Sequence, residues 1–186
     1  MKLEELVFVT SNLGKLREAE AVLGVRLDHR ALDLPEIQSL DLEEIVSNKA
    51  AIAFERIKRP VLVEDTSLEL VGLGGFPGPL VRWLLTSVGA DGICKICKTF
   101  GDANAVVRCI ACASDGNKDI LGVGVVEGRI TLCPRGTFGF GWDSAFMPNL
   151  PKSHPSHGCT YAEIEDKEKN QISHRKKAFD ALRANF

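Results

Sequence analysis

Thr10-Ser11-Asn12-Leu13-Gly14-Lys15 gathers two hydroxyls, a carboxamide, a glycine and an ammonium into six residues. Lying between an apolar run and a helical pattern, these residues bring free backbone N–H groups and the positive end of a helix dipole to one place, which suits a phosphate chain. The segment is not a Walker A loop, because no G-x-x-x-x-G-K-[ST] occurs in the chain. Glu64-Asp65, with Glu36 upstream in Leu34-Pro35-Glu36-Ile37-Gln38, supplies carboxylates. An Asp and a more distant Glu are the few hard oxygen ligands that Mg²⁺ takes when water and phosphate supply the rest. In a strand Glu64 and Asp65 face opposite ways, so at most one of them enters a cleft. Ligand crevices lie at strand C-termini in α/β sheets, which favours Asp65. Ser173-His174-Arg175-Lys176-Lys177, with Lys169 four residues before Ser173, concentrates cations where a helix begins. Such cations oppose the macrodipole, so they either face a negative partner or cost a little stability. Phe140-Gly141-Trp142-Asp143 adds aromatic faces for stacking, a glycine for close approach and a carboxylate that accepts from a base N–H. Each of these has a plainer reading as a capped helix, solvated carboxylates, a surface cation run or core aromatics. Together they describe a nucleotide site.

The elements that must hold these residues follow from periodicity. Leu6–Thr10 reads as a buried strand, and Leu13, Leu16, Ala19 and Leu23 recur at helical spacing up to Gly24. Val25–Leu32 is a second strand, Asp41–Arg59 an amphipathic helix, and Pro60–Glu64 a strand delivering Asp65 and Thr66 at its C-terminal end. Gly72–Pro79 reads as a loop, Leu80–Val88 and Asp91–Phe100 as helices, and Ala103–Ala113 and Asp119–Glu127 as antiparallel strands about an Asp115-Gly116 turn. A short strand at Ala145–Met147, a surface loop at Pro148–Gly158 and a last helix from Ser173, with Phe179, Leu182 and Phe186 as its stripe, complete the chain. The order predicts an α/β protein with a mixed sheet.

Composition narrows the classes. With 186 residues, 45% hydrophobic and 26% charged, the chain has the make-up of an ordinary globular protein. No apolar run approaches the ~20 residues of a membrane span, and the acidic start Met1-Lys2-Leu3-Glu4-Glu5 does not read as a signal peptide. A formal charge of −2 gives no support to binding of a nucleic-acid polymer. The pairs Cys94/Cys97 and Cys109/Cys112 have zinc-like spacing. However, the second pair falls in a strand, where positions three apart point to opposite faces. Buried free thiols in an intracellular protein are therefore expected.

Thr10-x-Asn12-x-x-Lys15, Leu34-Pro35-Glu36, Val63-Glu64-Asp65-Thr66, Gly75-Phe76-Pro77-Gly78-Pro79, Phe140-Gly141-Trp142-Asp143 and Lys169-Asn170-x-x-Ser173-His174-Arg175 follow one another in this order. In these motifs, from about Leu6 to Leu182, the chain closely resembles the inosine triphosphate pyrophosphatase family. The resemblance implies Mg²⁺-dependent hydrolysis of ITP, dITP and XTP to the monophosphate and pyrophosphate by a cytoplasmic homodimer. It also implies a single domain over residues 1–186: a mixed, mostly elongated β-sheet flanked by helices, in two lobes around a central nucleotide-binding cleft. Carried onto this chain, Thr10, Ser11, Asn12, Leu13, Gly14 and Lys15 hold the triphosphate. Glu36 and Asp65 serve the metal, and Asp65 also activates water. Lys49 and Lys169 contact the nucleotide and Thr66 lines the site. Phe140, Gly141, Trp142 and Asp143, with His174 and Arg175, hold the base. Arg82 stands where some members carry a substrate-contacting lysine, and its guanidinium fork binds phosphate differently. Two other readings remain. A Maf-like nucleotide pyrophosphatase would show another base preference, and a non-catalytic nucleotide sensor or RNA-binding module would not need the Glu36/Asp65 pair.

Overall fold

Short strands form the parallel part of the sheet, with helices returning between them. The computed structural model describes Met1–Phe186. The first half contains β1 (Val7–Val9), α1 (Leu13–Leu23), β2 (Asp28–Arg30), α2 (Leu42–Ile57), β3 (Val61–Leu70) and β4 (Pro77–Gly78). It is followed by α3 (Val81–Phe100), β5 (Asn104–Ser114), β6 (Asp119–Ile130), β7 (Phe146–Pro148), α4 (Asp166–Ile172) and α5 (His174–Ala184). The seven-stranded sheet runs β2-β1-β3-β5-β6-β7, with β4 on β3. The β1 strand pairs in parallel with both β2 and β3, while β4 and β7 pair antiparallel to β3 and β6. The mixed α/β architecture anticipated from the order of elements is the one found.

The chain divides into two compact units. The first comprises Met1–Thr66, Cys109–Gly124 and Ser173–Phe186. One of its cores gathers Phe8, Leu62, Cys109 and Phe179. Another gathers Val9, Val46, Val63 and Cys112. The second unit, Ser67–Arg108 and Val125–Ile172, is built on Leu68, Ile93, Cys94, Cys97, Trp142, Phe146 and Tyr161. The four paired cysteines thus fall into three separate clusters. Burial pushes the Cys97 thiol up to about 11 and the Cys112 thiol up to about 12, so both remain protonated and apolar in character.

Several boundaries differ from expectation. The β3 strand does not stop before Asp65 but runs on to Leu70, so Asp65 and Thr66 sit within it. Buried Leu68 and Leu70 continue the strand into a further core. The Gly72–Pro79 segment is not all loop, because Pro77-Gly78 bridges to Leu68-Glu69. Pro148 closes β7 rather than opening a loop. α4 was not foreseen, since seven largely polar residues carry too little apolar periodicity to announce a helix. Phe186 lies outside the α5 stripe at 41% exposure. It follows the helix, whose buried face ends with Ala178, Phe179 and Leu182. The two helices read around Gly89 are present, separated by that residue at φ 67° and ψ 178°, which interrupts an otherwise continuous α3.

Candidate active site

Asn12 begins the arrangement in the first unit. As N-cap of α1 its side-chain oxygen accepts from the Gly14 and Lys15 amides at 2.9 and 3.2 Å, and Thr10 Oγ1 accepts from Asn12 N at 3.1 Å. The turn from β1 into α1 is thereby fixed, and Lys15 leaves the first helical turn close to β3. Its Nζ lies 2.6 Å from Glu64 Oε1 and 3.6 Å from Asp65 Oδ1. Lys49, from the middle of α2, places its Nζ 2.6 Å from Glu36 Oε1 and 3.3 Å from Asp65 Oδ2. Lys15 and Lys49 thus meet at Asp65, and Lys49 links it to Glu36.

Glu64, which sequence reasoning assigned no role, is the buried hub. Arg175 donates to its Oε2 through Nε and Nη2, both at 3.3 Å, and pairs with Glu18 of α1. The Thr66 hydroxyl and the Cys109 thiol also donate to Oε2, at 3.3 and 3.2 Å, and Arg175 Nη2 donates to Thr66 Oγ1 at 3.3 Å. Burial alone would push the Glu64 carboxyl up, but Arg175 and Lys15 outweigh it and hold the group well below the usual carboxylate range. Burial works equally against the charged forms of Lys15 and Arg175, yet the facing carboxylates raise both. Cys109 is pushed far up by burial and by Glu64, so it is a donor and not a nucleophile. The negative partner that the cation run at α5 called for is internal: Glu18 and Glu64 take Arg175, and Asp180 takes Lys176. A signal for Glu18 existed, since it is a carboxylate next to Ala19 on the buried face of α1.

In the second unit Lys169 and Asp143 form an ion pair of 2.7 Å with side chains 1% and 5% exposed. Asp143 Oδ2 also accepts from the Phe140 amide at 2.9 Å, so the carboxylate folds its own loop around itself. Lys169 Nζ sits 4.9 Å from the Phe140 ring centroid and 5.6 Å from that of Tyr161. Trp142 packs edge-on against Phe146 at 5.8 Å within the core. Gly141 keeps a backbone turn at φ 65° between Phe140 and Trp142. Arg82 lies on α3 with its guanidinium 5.9 Å from the ring of exposed Trp83. In the first unit Ser11 and Leu13 are exposed, and His174 is buried at the start of α5.

No group of three or more His, Cys, Asp or Glu side chains is arranged as a metal site. Glu36 and Asp65 nevertheless converge on one ammonium, which occupies the position of a cation between hard oxygen donors. Two carboxylates fit Mg²⁺, which is seldom held by protein ligands alone and takes its other oxygens from phosphate and water.

The Ham1 family model matches residues 6–185. Inosine triphosphate pyrophosphatase 2 of Trypanosoma cruzi is 45% identical to this chain, covering 98% of it and 92% of the relative. The inosine triphosphate pyrophosphatase of Schizosaccharomyces pombe is 41% identical, with 97% and 94% covered. Among solved structures, a HAM1 protein from Coxiella burnetii superposes with a TM-score of 0.77 at 26% identity, covering 98% of both chains. Likeness over nearly the whole length, in sequence and in architecture, establishes that the chain belongs to the Ham1 family.

Proposed function

We propose that this protein hydrolyses non-standard purine nucleoside triphosphates, ITP, dITP and XTP, to the nucleoside monophosphate and pyrophosphate. The observation that carries the reading is the convergence of Lys15, Lys49, Glu36 and Asp65 in a chain whose relatives carry the name inosine triphosphate pyrophosphatase. Attack at the α-phosphorus sets a nucleophile beside a polyanion, so charge must be neutralised before chemistry begins. The α1 N-terminus, from Thr10 to Lys15, and Lys49 bind and orient the triphosphate. Glu36 and Asp65 hold Mg²⁺, which when bound supplies further neutralisation and polarises the phosphoryl oxygens. Asp65, partly open to solvent where Glu64 is enclosed, takes the proton of the attacking water. Pyrophosphate departs with its charge met by the same lysines.

We assign base reading to Phe140, Gly141, Trp142 and Asp143 with Lys169, and to His174 and Arg175. Thr66 lines the site and Arg82 adds a cation for phosphate. A 6-oxo purine accepts at position 6 and donates from N1–H, and adenine reverses both. A site of fixed donors and acceptors can therefore reject ATP by factors on the order of 10⁴. A homodimer working in the cytoplasm completes the proposal. No helix is long and apolar enough to cross a membrane.

Incubation with ITP and Mg²⁺, with products identified, is the test. The expected products are IMP and pyrophosphate; IDP and phosphate would refute the cleavage position. In the same assay Asp65→Asn should lower turnover about 100-fold or more, the range for losing a general base. Near-normal turnover would remove Asp65 from the proton transfer.

A further inference from the structure

Two lysines touch Asp65, and their surroundings differ. Lys15 is anchored on Glu64, whose side chain is fully enclosed, and reaches Asp65 only at 3.6 Å. Lys49 has no enclosed partner. It bridges Asp65 at 3.3 Å and Glu36 at 2.6 Å, and the Glu36 side chain is 42% exposed. These are the two carboxylates that the proposed function gives to the metal. An ammonium and a divalent ion cannot both sit between them, because they compete for the same oxygens and repel each other.

We propose that Lys49 is a placeholder for the divalent cation: it holds Glu36 and Asp65 together until the ion arrives and is then displaced from between them. The idea rests on the reading of Glu36 and Asp65 as metal ligands. In the metal-free protein the ammonium offsets the mutual repulsion of the two carboxylates and holds both against one cationic centre. Displacement does not strand the charge. Lys49 is rooted in a well-formed helix, and its flexible four-carbon stem lets the ammonium swing toward an incoming polyphosphate. The exchange makes metal and nucleotide binding reinforce each other. The ion alone must expel Lys49 with nothing to receive it, whereas the ion arriving with phosphates supplies Lys49 with a new partner. By linkage the same coupling acts in both directions.

The test is binding of Mn²⁺ to the whole protein without nucleotide, read from the electron paramagnetic resonance of the free ion. Lys49→Met and Lys49→Gln remove the competing charge and should lower the Mn²⁺ dissociation constant tenfold or more. Lys49→Arg keeps the charge and should leave it within a few-fold of the parent. Adding Glu36→Gln to Lys49→Met should reverse the gain. If Mn²⁺ affinity is unchanged in both neutral variants while Glu36→Gln still weakens it, the metal site stands and the placeholder role is overturned. If Glu36→Gln has no effect in any background, the ligand assignment itself fails and the placeholder role falls with it. Circular dichroism of each variant checks that all are folded.

Discussion

Glu64 shows how far a single residue can depend on its neighbours. A carboxylate removed from water is stable only if its charge is met, and here a guanidinium, an ammonium, a hydroxyl and a thiol all converge on it. Glu64→Gln keeps the shape and removes the charge, leaving Lys15 and Arg175 short of a counter-ion. Breaking a buried pair from one side costs about 3–5 kcal/mol. The cost has a pH signature. The folded Glu64 carboxyl is depressed, so its contribution is present above the unfolded value near ~4.3 and is lost as pH falls through the lower folded value. Lys15 and Arg175 are raised, so their contributions hold at acid and neutral pH and fade only on the alkaline side. Urea unfolding of parent and variant should therefore show a gap that is constant from about pH 5 to 8 and shrinks in acid below about pH 4. A gap under about 1 kcal/mol at neutral pH would mean that the network contributes nothing net. The motif Val63-Glu64-Asp65-Thr66 was visible in the sequence, and Asp65 could be favoured over Glu64 by its expected place at the strand's C-terminal end. The hub could not, because the partners it gathers from outside its own strand come from positions 15, 109 and 175. Only the fold makes those positions neighbours.

Among the elements, α5 is placed by a feature of β6 rather than of the helix. A Cβ added at Gly124 would overlap the carbonyl oxygen of His174 and the amide nitrogen of Ala178, and one at Gly122 would overlap Ala178 and Leu182 in the same way. The two glycines let the helix axis approach the strand more closely than any side chain would permit. The helix N-terminus, which carries His174 and Arg175, is set by that approach. Gly124→Ala forces backbone to move rather than a flexible side chain, at a cost of about 1–3 kcal/mol. For a chain of this size that corresponds to a fall in melting temperature of about 2–4 °C per kcal/mol. A weaker KM for ITP should accompany it as Arg175 shifts. An unchanged melting temperature would show that α5 has slack against the sheet. The helix itself was readable from Ser173 and the Phe179 and Leu182 spacing, α1 from the spacing of Leu13, Leu16, Ala19 and Leu23, and α2 from its amphipathic pattern; the side chains of Asn12, Asp41 and Ser173 cap the three. The tight contact with β6 was not readable. In sequence, Gly122 and Gly124 look like weak points in a strand, and the reason for them lies in an element some fifty residues later.

Taken as one molecule, the protein divides its labour between apolar packing and charge. Three apolar clusters carry the two units, and no carboxylate of the candidate site depends on a metal for its counter-charge. Glu64 has Lys15 and Arg175, Asp65 has Lys15 and Lys49, and Glu36 has Lys49. Removing the divalent ion should therefore stop catalysis without loosening the fold. An ion that binds the native state alone stabilises it by RT ln(1 + [M]/Kd). If Lys49 holds the metal-free affinity near the millimolar range, 1 mM Mg²⁺ adds only about 0.4 kcal/mol. The melting temperature measured with excess chelator should thus lie within about 2 °C of that with Mg²⁺, while hydrolysis of ITP falls to background and returns on adding the ion back. A fall of 10 °C or more on chelation would place the ion among the structural supports. It would also mean that the lysines do not balance the carboxylates in its absence.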